Sequence, residues 1–241
     1  MDLTQELNEF LLRNGACEVG FADITNFTTK EGLDTGIVFY ITYPKKIIKN
    51  MQNAPTLDYL NEYNNINSKL DELSIKCEEF IIKKGHNAYA QTRERLGTDF
   101  GDNNSFELPH KTIATRAGLG WIGKSALFIT KNHGCALRLS SVLTDAPLEI
   151  GEPILESKCG KCTDCMYACL GGAISGIEWN CNLKRNDFYD DKKCEKYALK
   201  VSKENLGTAY TICGKCIYAC RFTQKYIKNH SLTACEKLFD K

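Results

Sequence analysis

Cys159-Gly160-Lys161-Cys162-Thr163-Asp164-Cys165-Met166-Tyr167-Ala168-Cys169 decides the fold of the last third of this chain. Its spacing is C-x2-C-x2-C-x3-C. Three cysteines at intervals of three wrap a loop around one iron–sulfur cubane. The fourth, on the next helical turn, points away toward a second cubane. The spacing therefore predicts two [4Fe–4S] clusters and requires further thiol ligands downstream.

Those ligands are present. Cys213-Gly214-Lys215-Cys216-Ile217-Tyr218-Ala219-Cys220 repeats the C-G-K-C opening and the Tyr-Ala-Cys ending of the first run, one cysteine short. Cys194 lies between the runs and supplies the missing ligand. The expected sets are Cys159, Cys162, Cys165 and Cys220 for cluster A, and Cys169, Cys194, Cys213 and Cys216 for cluster B. Each run lends its last cysteine to the other run's cluster. Cys181 also lies between the runs and rivals Cys194; Cys235 is a second spare. Zinc sites use four ligands, commonly two C-x2-C pairs, so a cysteine triplet within a set of eight fits zinc poorly. The run departs from the bacterial ferredoxin pattern at its end, where Leu170 replaces proline.

Working outward, 13 of 241 residues are cysteine. Only Cys17, Cys77 and Cys135 precede residue 150. This shift predicts two domains, 1–150 and 151–241, with a boundary in the proline-bearing stretch 147–153. The chain is 43% hydrophobic, which excludes disorder. No apolar run reaches membrane-spanning length, so no membrane partner is expected. Met1-Asp2-Leu3-Thr4-Gln5-Glu6 lacks the basic and apolar regions of a secretory signal, so the expected compartment is the cytoplasm, where clustered cysteines bind metal rather than form disulfides. The net charge is +1, but residues 192–241 hold 11 Lys/Arg against 4 Asp/Glu. Those lysines solvate a cysteine-rich surface or face an acidic partner.

The first 150 residues read as mixed α and β. Leu3, Leu7, Phe10 and Leu11 keep helical spacing up to Gly15. Residues 36–43 are a β-branched and aromatic run stopped by Pro44, a buried strand. A long helix follows Pro55, with Leu60, Tyr63, Ile66, Leu70, Leu73, Cys77, Phe80 and Ile81 on one stripe, ending at Gly85. Short strands are expected at 88–91, 126–130 and 136–143, a polar loop at 97–105 and a helix at 109–117. The fold class is α+β: an N-terminal mixed α/β cofactor-binding domain followed by a bacterial-type two-[4Fe–4S] ferredoxin-like domain.

Arg116-Ala117-Gly118-Leu119-Gly120-Trp121-Ile122-Gly123-Lys124 is the other unusual stretch. Glycines let backbone approach a flat or phosphate-bearing ligand, Trp121 offers a stacking face and Lys124 a charge. The cofactor-binding residues expected are Gly118, Gly120, Trp121, Gly123 and Lys124. The dinucleotide fingerprint is rejected, because a helix rather than a strand precedes the glycines. His110 opens that helix and is a candidate proton donor or metal ligand, against the plainer reading of a helix-start histidine satisfied by solvent.

This glycine motif, followed by Ser140-Ser141-Val142-Leu143-Thr144-Asp145 and the two cysteine runs in the same order, resembles the epoxyqueuosine reductase family, itself similar to the reductive dehalogenase core. The resemblance covers roughly residues 85–225. It implies a cobalamin in the N-terminal domain, fed by two [4Fe–4S] clusters, and reductive removal of an epoxide oxygen from a tRNA nucleoside. Two departures stand out. The family's C-terminal helical-repeat region, which helps hold tRNA, has no counterpart in the roughly 20 residues after Cys220. The family's catalytic aspartate falls in register with Asn104, Asp102 lies nearby, and Asn cannot donate an acid proton. The expectation is an iron–sulfur oxidoreductase, a short relative using a corrinoid and a low-potential electron donor such as ferredoxin or flavodoxin, with the tRNA reaction set aside. Two alternatives are an electron-transfer protein that reduces a partner such as a corrinoid protein, and a complete tRNA-modifying epoxyqueuosine reductase.

Overall fold

The structure is a computed structural model describing residues 2–27, 30–97, 108–229 and 231. Helix α1 (Leu3–Arg13) is opened by Asp2, whose carboxylate accepts from the Gln5 amide. Strands β1 (Glu18–Asp23) and β2 (Thr35–Thr42) follow, then α2 (Lys45–Lys49) and a 3-10 turn (Asn50–Asn53). The long α3 (Leu57–Lys83) is capped by Thr56. After β3 (Ala88–Ala90) come α4 (His110–Arg116), β4 (Trp121–Ile122), β5 (Phe128–Ile129) and β6 (Leu137–Thr144). The cysteine-rich part holds α5 (Asp164–Ala168), α6 (Arg185–Phe188), α7 (Asp191–Leu206), α8 (Lys215–Ala219) and α9 (Arg221–Lys228).

Mixed α and β organisation around a small sheet is what the periodicities predict. The sheet has order β1-β2-β6-β3, antiparallel throughout, and β4 pairs with β5 in a separate ribbon. β2 is apolar without alternation because both of its faces are covered. Ile37, Phe39 and Ile41 join Leu7, Leu11 and the α3 stripe on one side. Val38 and Tyr40 meet Ile113 and Ala114 of α4 on the other. Gly36 lets α4 lie that close: a Cβ there would stand 2.6 Å from the Ile113 side chain. The expected strand at 126–130 shrinks to β5. Strand β1, with no clean alternation of its own, is ordered by pairing along β2 from Glu18↔Tyr40 to Asp23↔Thr35.

The cysteine-rich part shares the core of the part before it. Trp179, Phe188, Ile212, Ile217, Tyr226 and Ile227 lie in the same apolar cluster as Phe39 and the α3 stripe. The Tyr226 hydroxyl donates to the Tyr43 carbonyl at 2.9 Å. Thr223 packs on Gly134, and its hydroxyl accepts from the Cys135 amide at 3.1 Å. Among the described residues no helix is long and apolar enough to cross a membrane.

Candidate functional site

The repeated runs adopt repeated structure. Each contains a five-residue helix just before its last cysteine, and the two helices, α5 and α8, pack against one another. Cys169 ends α5; Cys220 ends α8 and starts α9. The two final cysteines consequently face the opposite run. Cys159, Cys162, Cys165 and Cys220 line one small cavity, with Lys124, Ser125, Ile129, Arg221 and Phe222. Cys169, Cys194, Cys213 and Cys216 line a second cavity of about 760 Å³. Cys194 is on this wall; Cys181 is exposed and on neither. Among the described residues no three His, Cys, Asp or Glu side chains converge as a single metal ion requires. Cys235 lies outside the described residues, as do Asp102 and Asn104.

Crowding of thiols raises the cost of ionising them without a counter-charge. Burial first, then Cys159, Cys220 and Cys162, push the Cys165 thiol up to about 12. Burial and the facing Cys213 and Cys194 hold Cys216 well above its ordinary value. Cys220 runs the other way, down to about 6, because Cys135 donates to it and the Thr223 and Phe222 amides add hydrogen bonds. Cys135 itself is buried, with its sulfur 3.6 Å from the Thr223 hydroxyl. It is a thiol behind a thiol, and sequence spacing gives it no role.

Gly118, Gly120, Trp121, Gly123 and Lys124 do not line the larger cavity. The glycine motif instead clasps the first cysteine run. Lys124, only 6% exposed, donates to the Gly160 and Cys162 carbonyls at 2.7 and 3.1 Å. A Cβ on Gly123 would lie 3.4 Å from the Cys159 sulfur and press on Ile129, so glycine lets the loop and the thiol meet. Trp121 is buried edge-on to Phe222, ring centroids 5.0 Å apart.

The larger cavity lies between the cysteine-rich part and the first sheet. Tyr59, Tyr63 and Asn67, four residues apart along one face of α3, form part of its wall. Arg138 of β6, Gln91, Arg93 and His110 continue it. His110 is not left to solvent: its Nδ1 is 2.7 Å from the Ser141 hydroxyl, which donates to Gln91 at 2.6 Å. Burial, helped by the Arg138 charge, lowers its pKa to about 4, so at neutral pH it is an uncharged imidazole. Sequence reading missed Tyr59, Asn67 and Arg138. The available signal was a cation at position 138, inside a strand otherwise made for burial.

No family model matches the chain. A curated epoxyqueuosine reductase from Aliivibrio fischeri is 30% identical over 159 residues, covering 64% of this chain and 36% of the relative. The Escherichia coli epoxyqueuosine reductase is 39% identical over 71 residues, 30% of this chain and 18% of that one. The matched stretch is thus about a third or less of each relative. A solved epoxyqueuosine reductase bound to an epoxyqueuosine-modified tRNA-Tyr stem loop superposes with a TM-score of 0.61 at 19% identity, covering 97% of this chain and 68% of the other. A reductive dehalogenase, its structure described as suggesting a mechanism for B12-dependent dehalogenation, gives 0.69 at 16% identity over 98% of this chain and 32% of its own. At these identities the structural likeness shows the fold. Together with the curated relatives it bears out the resemblance to epoxyqueuosine reductases.

Proposed function

We propose that the chain is an iron–sulfur reductase of the epoxyqueuosine-reductase type, with residues 151–241 as its cluster-bearing, ferredoxin-like part and residues 1–150 supplying most of the facing wall of a cofactor cavity. The observation that carries this is the exchange of final cysteines. Two sets of four thiols each line one cavity: the first takes three members from the first run and Cys220 from the second, the other takes Cys213 and Cys216 from the second run, Cys169 from the first and Cys194 from between them. That donor set suits [4Fe–4S] clusters, with Cys159, Cys162, Cys165 and Cys220 holding cluster A and Cys169, Cys194, Cys213 and Cys216 holding cluster B. The larger cavity, about 760 Å³ with cluster B's ligands on its wall, is in the upper range for a small-molecule or cofactor site and suits a corrinoid. When bound, these groups supply single low-potential electrons to a corrinoid metal centre.

The chain's own residues have definite tasks in this scheme. Lys124 pins the carbonyls of the first cysteine run, fixing its thiols. The start of α9, with Cys135 behind it, directs hydrogen-bond donors at Cys220. Neutral His110, fixed by Ser141, orients a ligand in the cavity and does not serve as a charged acid at neutral pH. The electron donor is a low-potential carrier such as ferredoxin or flavodoxin, the compartment the cytoplasm, and any tRNA substrate a matter for direct assay.

Anaerobic reconstitution tests the reading. Two cubanes require about eight iron and about eight sulfide per chain. Four or fewer irons would overturn the two-cluster assignment. Cys194→Ser is expected to lose one cluster and Cys181→Ser none. Titration with cobalamin, followed by its visible spectrum and by retention on the protein, tests the corrinoid. No spectral change and no retention would favour an electron carrier acting on a partner.

A further inference from the structure

We propose that the larger cavity is built to hold an anionic group of its ligand, a carboxylate or a phosphate, on Arg138. The inference rests on reading this cavity as the ligand site and names the chemistry it selects. Arg138 stands on β6, an inner strand of the four-stranded sheet, and its side chain reaches the cavity wall. Taking a guanidinium out of water is costly, and proteins normally meet that cost with a carboxylate. Among the described residues none pairs with Arg138. Asp71, a carboxylate on the same cavity wall, is occupied by Arg93, whose Nε donates to it at 2.7 Å and whose amide donates at 3.0 Å. The other charged residues on the cavity wall are Glu195 and Lys215, one of each sign, on the cysteine side.

Arg138 is held, but its charge is not answered. Nε donates to the Asn67 amide oxygen at 2.9 Å, Nη2 donates to the Tyr63 hydroxyl at 3.4 Å, and the guanidinium lies 4.4 Å from the centre of the Tyr63 ring. These contacts fix the plane of the fork and leave Nη1 without a hydrogen bond among the described residues. The same bond fixes the Asn67 amide. With Oδ1 committed to Arg138, Nδ2 is a buried donor that has no partner. One wall thus presents a preset cation and an orphan N–H donor, both served by the oxygens of one anion. His110, uncharged at neutral pH, adds no competing charge.

The anion can come from a carboxylate substrate or from the phosphate of a cofactor's nucleotide loop, and matched probes separate the two. On the cluster-reconstituted full chain, binding of benzoate is compared with benzamide, and of cobalamin with cobinamide, which lacks the nucleotide loop. Wild type is expected to prefer the anionic member of one pair at least tenfold. A preference within the benzoate pair assigns the site to substrate; one within the corrinoid pair assigns it to the cofactor. Arg138→Met is expected to abolish the preference, and Arg138→Lys, which keeps the charge and loses the fork, to reduce it about threefold or more. Because Met fills similar volume without a charge to desolvate, Arg138→Met is expected to melt no lower than wild type. If it fails to fold, Arg138→Lys decides. Equal binding within both pairs, or a preference that survives the variants, overturns the proposal and leaves Arg138 a packing residue of Tyr63. Corrinoid binding without preference would sink the anion site and leave the corrinoid reading intact. A benzoate preference without corrinoid binding would do the reverse.

Discussion

Helix α3 runs for 27 residues and buries nine of them, whereas α5 and α8, which lie within the two cysteine runs, last five residues each and α5 buries none. The two parts share one apolar cluster but contribute to it unequally. Residues before 150 close a sheet between α3 and α4, with Phe39, Tyr40, Ile37 and Leu11 fully buried. Their stability comes from apolar area removed from water. The cysteine-rich part leaves Tyr167 76% and Leu170 68% exposed beside its thiols. Its short helices cannot be stable alone. If the proposed clusters are bound, this part would draw stability from them as well, because ligand binding that occurs only in the folded state is folding free energy.

Breaking that contrast is the first test and carries the largest expected effect. Cys162→Ser or Cys213→Ser is expected to remove one cluster, about four of about eight irons. Hydrogen exchange should then show lost protection across residues 159–169 and 213–220, with β2 and β6 amides still protected. Equal loss in both parts would show that they unfold as one unit. The reciprocal variant is Phe39→Ala. A fully buried aromatic cut to Ala costs about 3–5 kcal/mol. Its denaturation midpoint should fall, and its iron content, measured anaerobically under native conditions, should not.

The same contrast explains what was legible in the sequence. The α3 stripe and the unbroken β2 run are periodic signals set by burial, and each appears within a residue or two of its expected place. The cysteine runs are spacing signals, and the thiols they name line the same two cavities. Residues that join the two systems follow neither rule. Tyr63 reads as part of the α3 stripe, yet with Tyr59 and Asn67 it also lines the cavity. Lys124 reads as a charge for a ligand, yet it serves the backbone of the first cysteine run. Such roles depend on which distant segment arrives opposite, and local pattern does not carry that.

His110 sharpens the picture at the boundary, with an intermediate effect. Its folded pKa of about 4 lies below the ordinary histidine value, so the unfolded chain binds a proton the folded one rejects between about pH 6.5 and 4. The stability this gives is present above that window and lost as pH falls through it. Between pH 7 and pH 5 the loss is about 2 kcal/mol. In His110→Gln this part of the acid sensitivity should vanish. Urea unfolding of both proteins at the two pH values measures it, and an unchanged slope would mean that His110 is solvated.

The smallest effect is expected where the two parts touch at a single thiol. Cys135 belongs to the β6 side by position and to the cluster side by contact: its sulfur lies 3.6 Å from the Thr223 hydroxyl, its amide donates to Thr223 of α9, and its presence lowers the pKa of the Cys220 thiol. If it were only core, Cys135→Ala would cost a little stability and nothing else. If it supports cluster A's ligand, the variant keeps all its iron and shifts that cluster's potential downward, because a donor to a ligating sulfur favours the more negative, reduced state. One hydrogen bond of about 1 kcal/mol corresponds to about 40 mV for a one-electron couple. Cys135→Ser, which retains a donor, should recover part of the shift. A redox titration that finds the three proteins alike, with iron unchanged, would return Cys135 to the core.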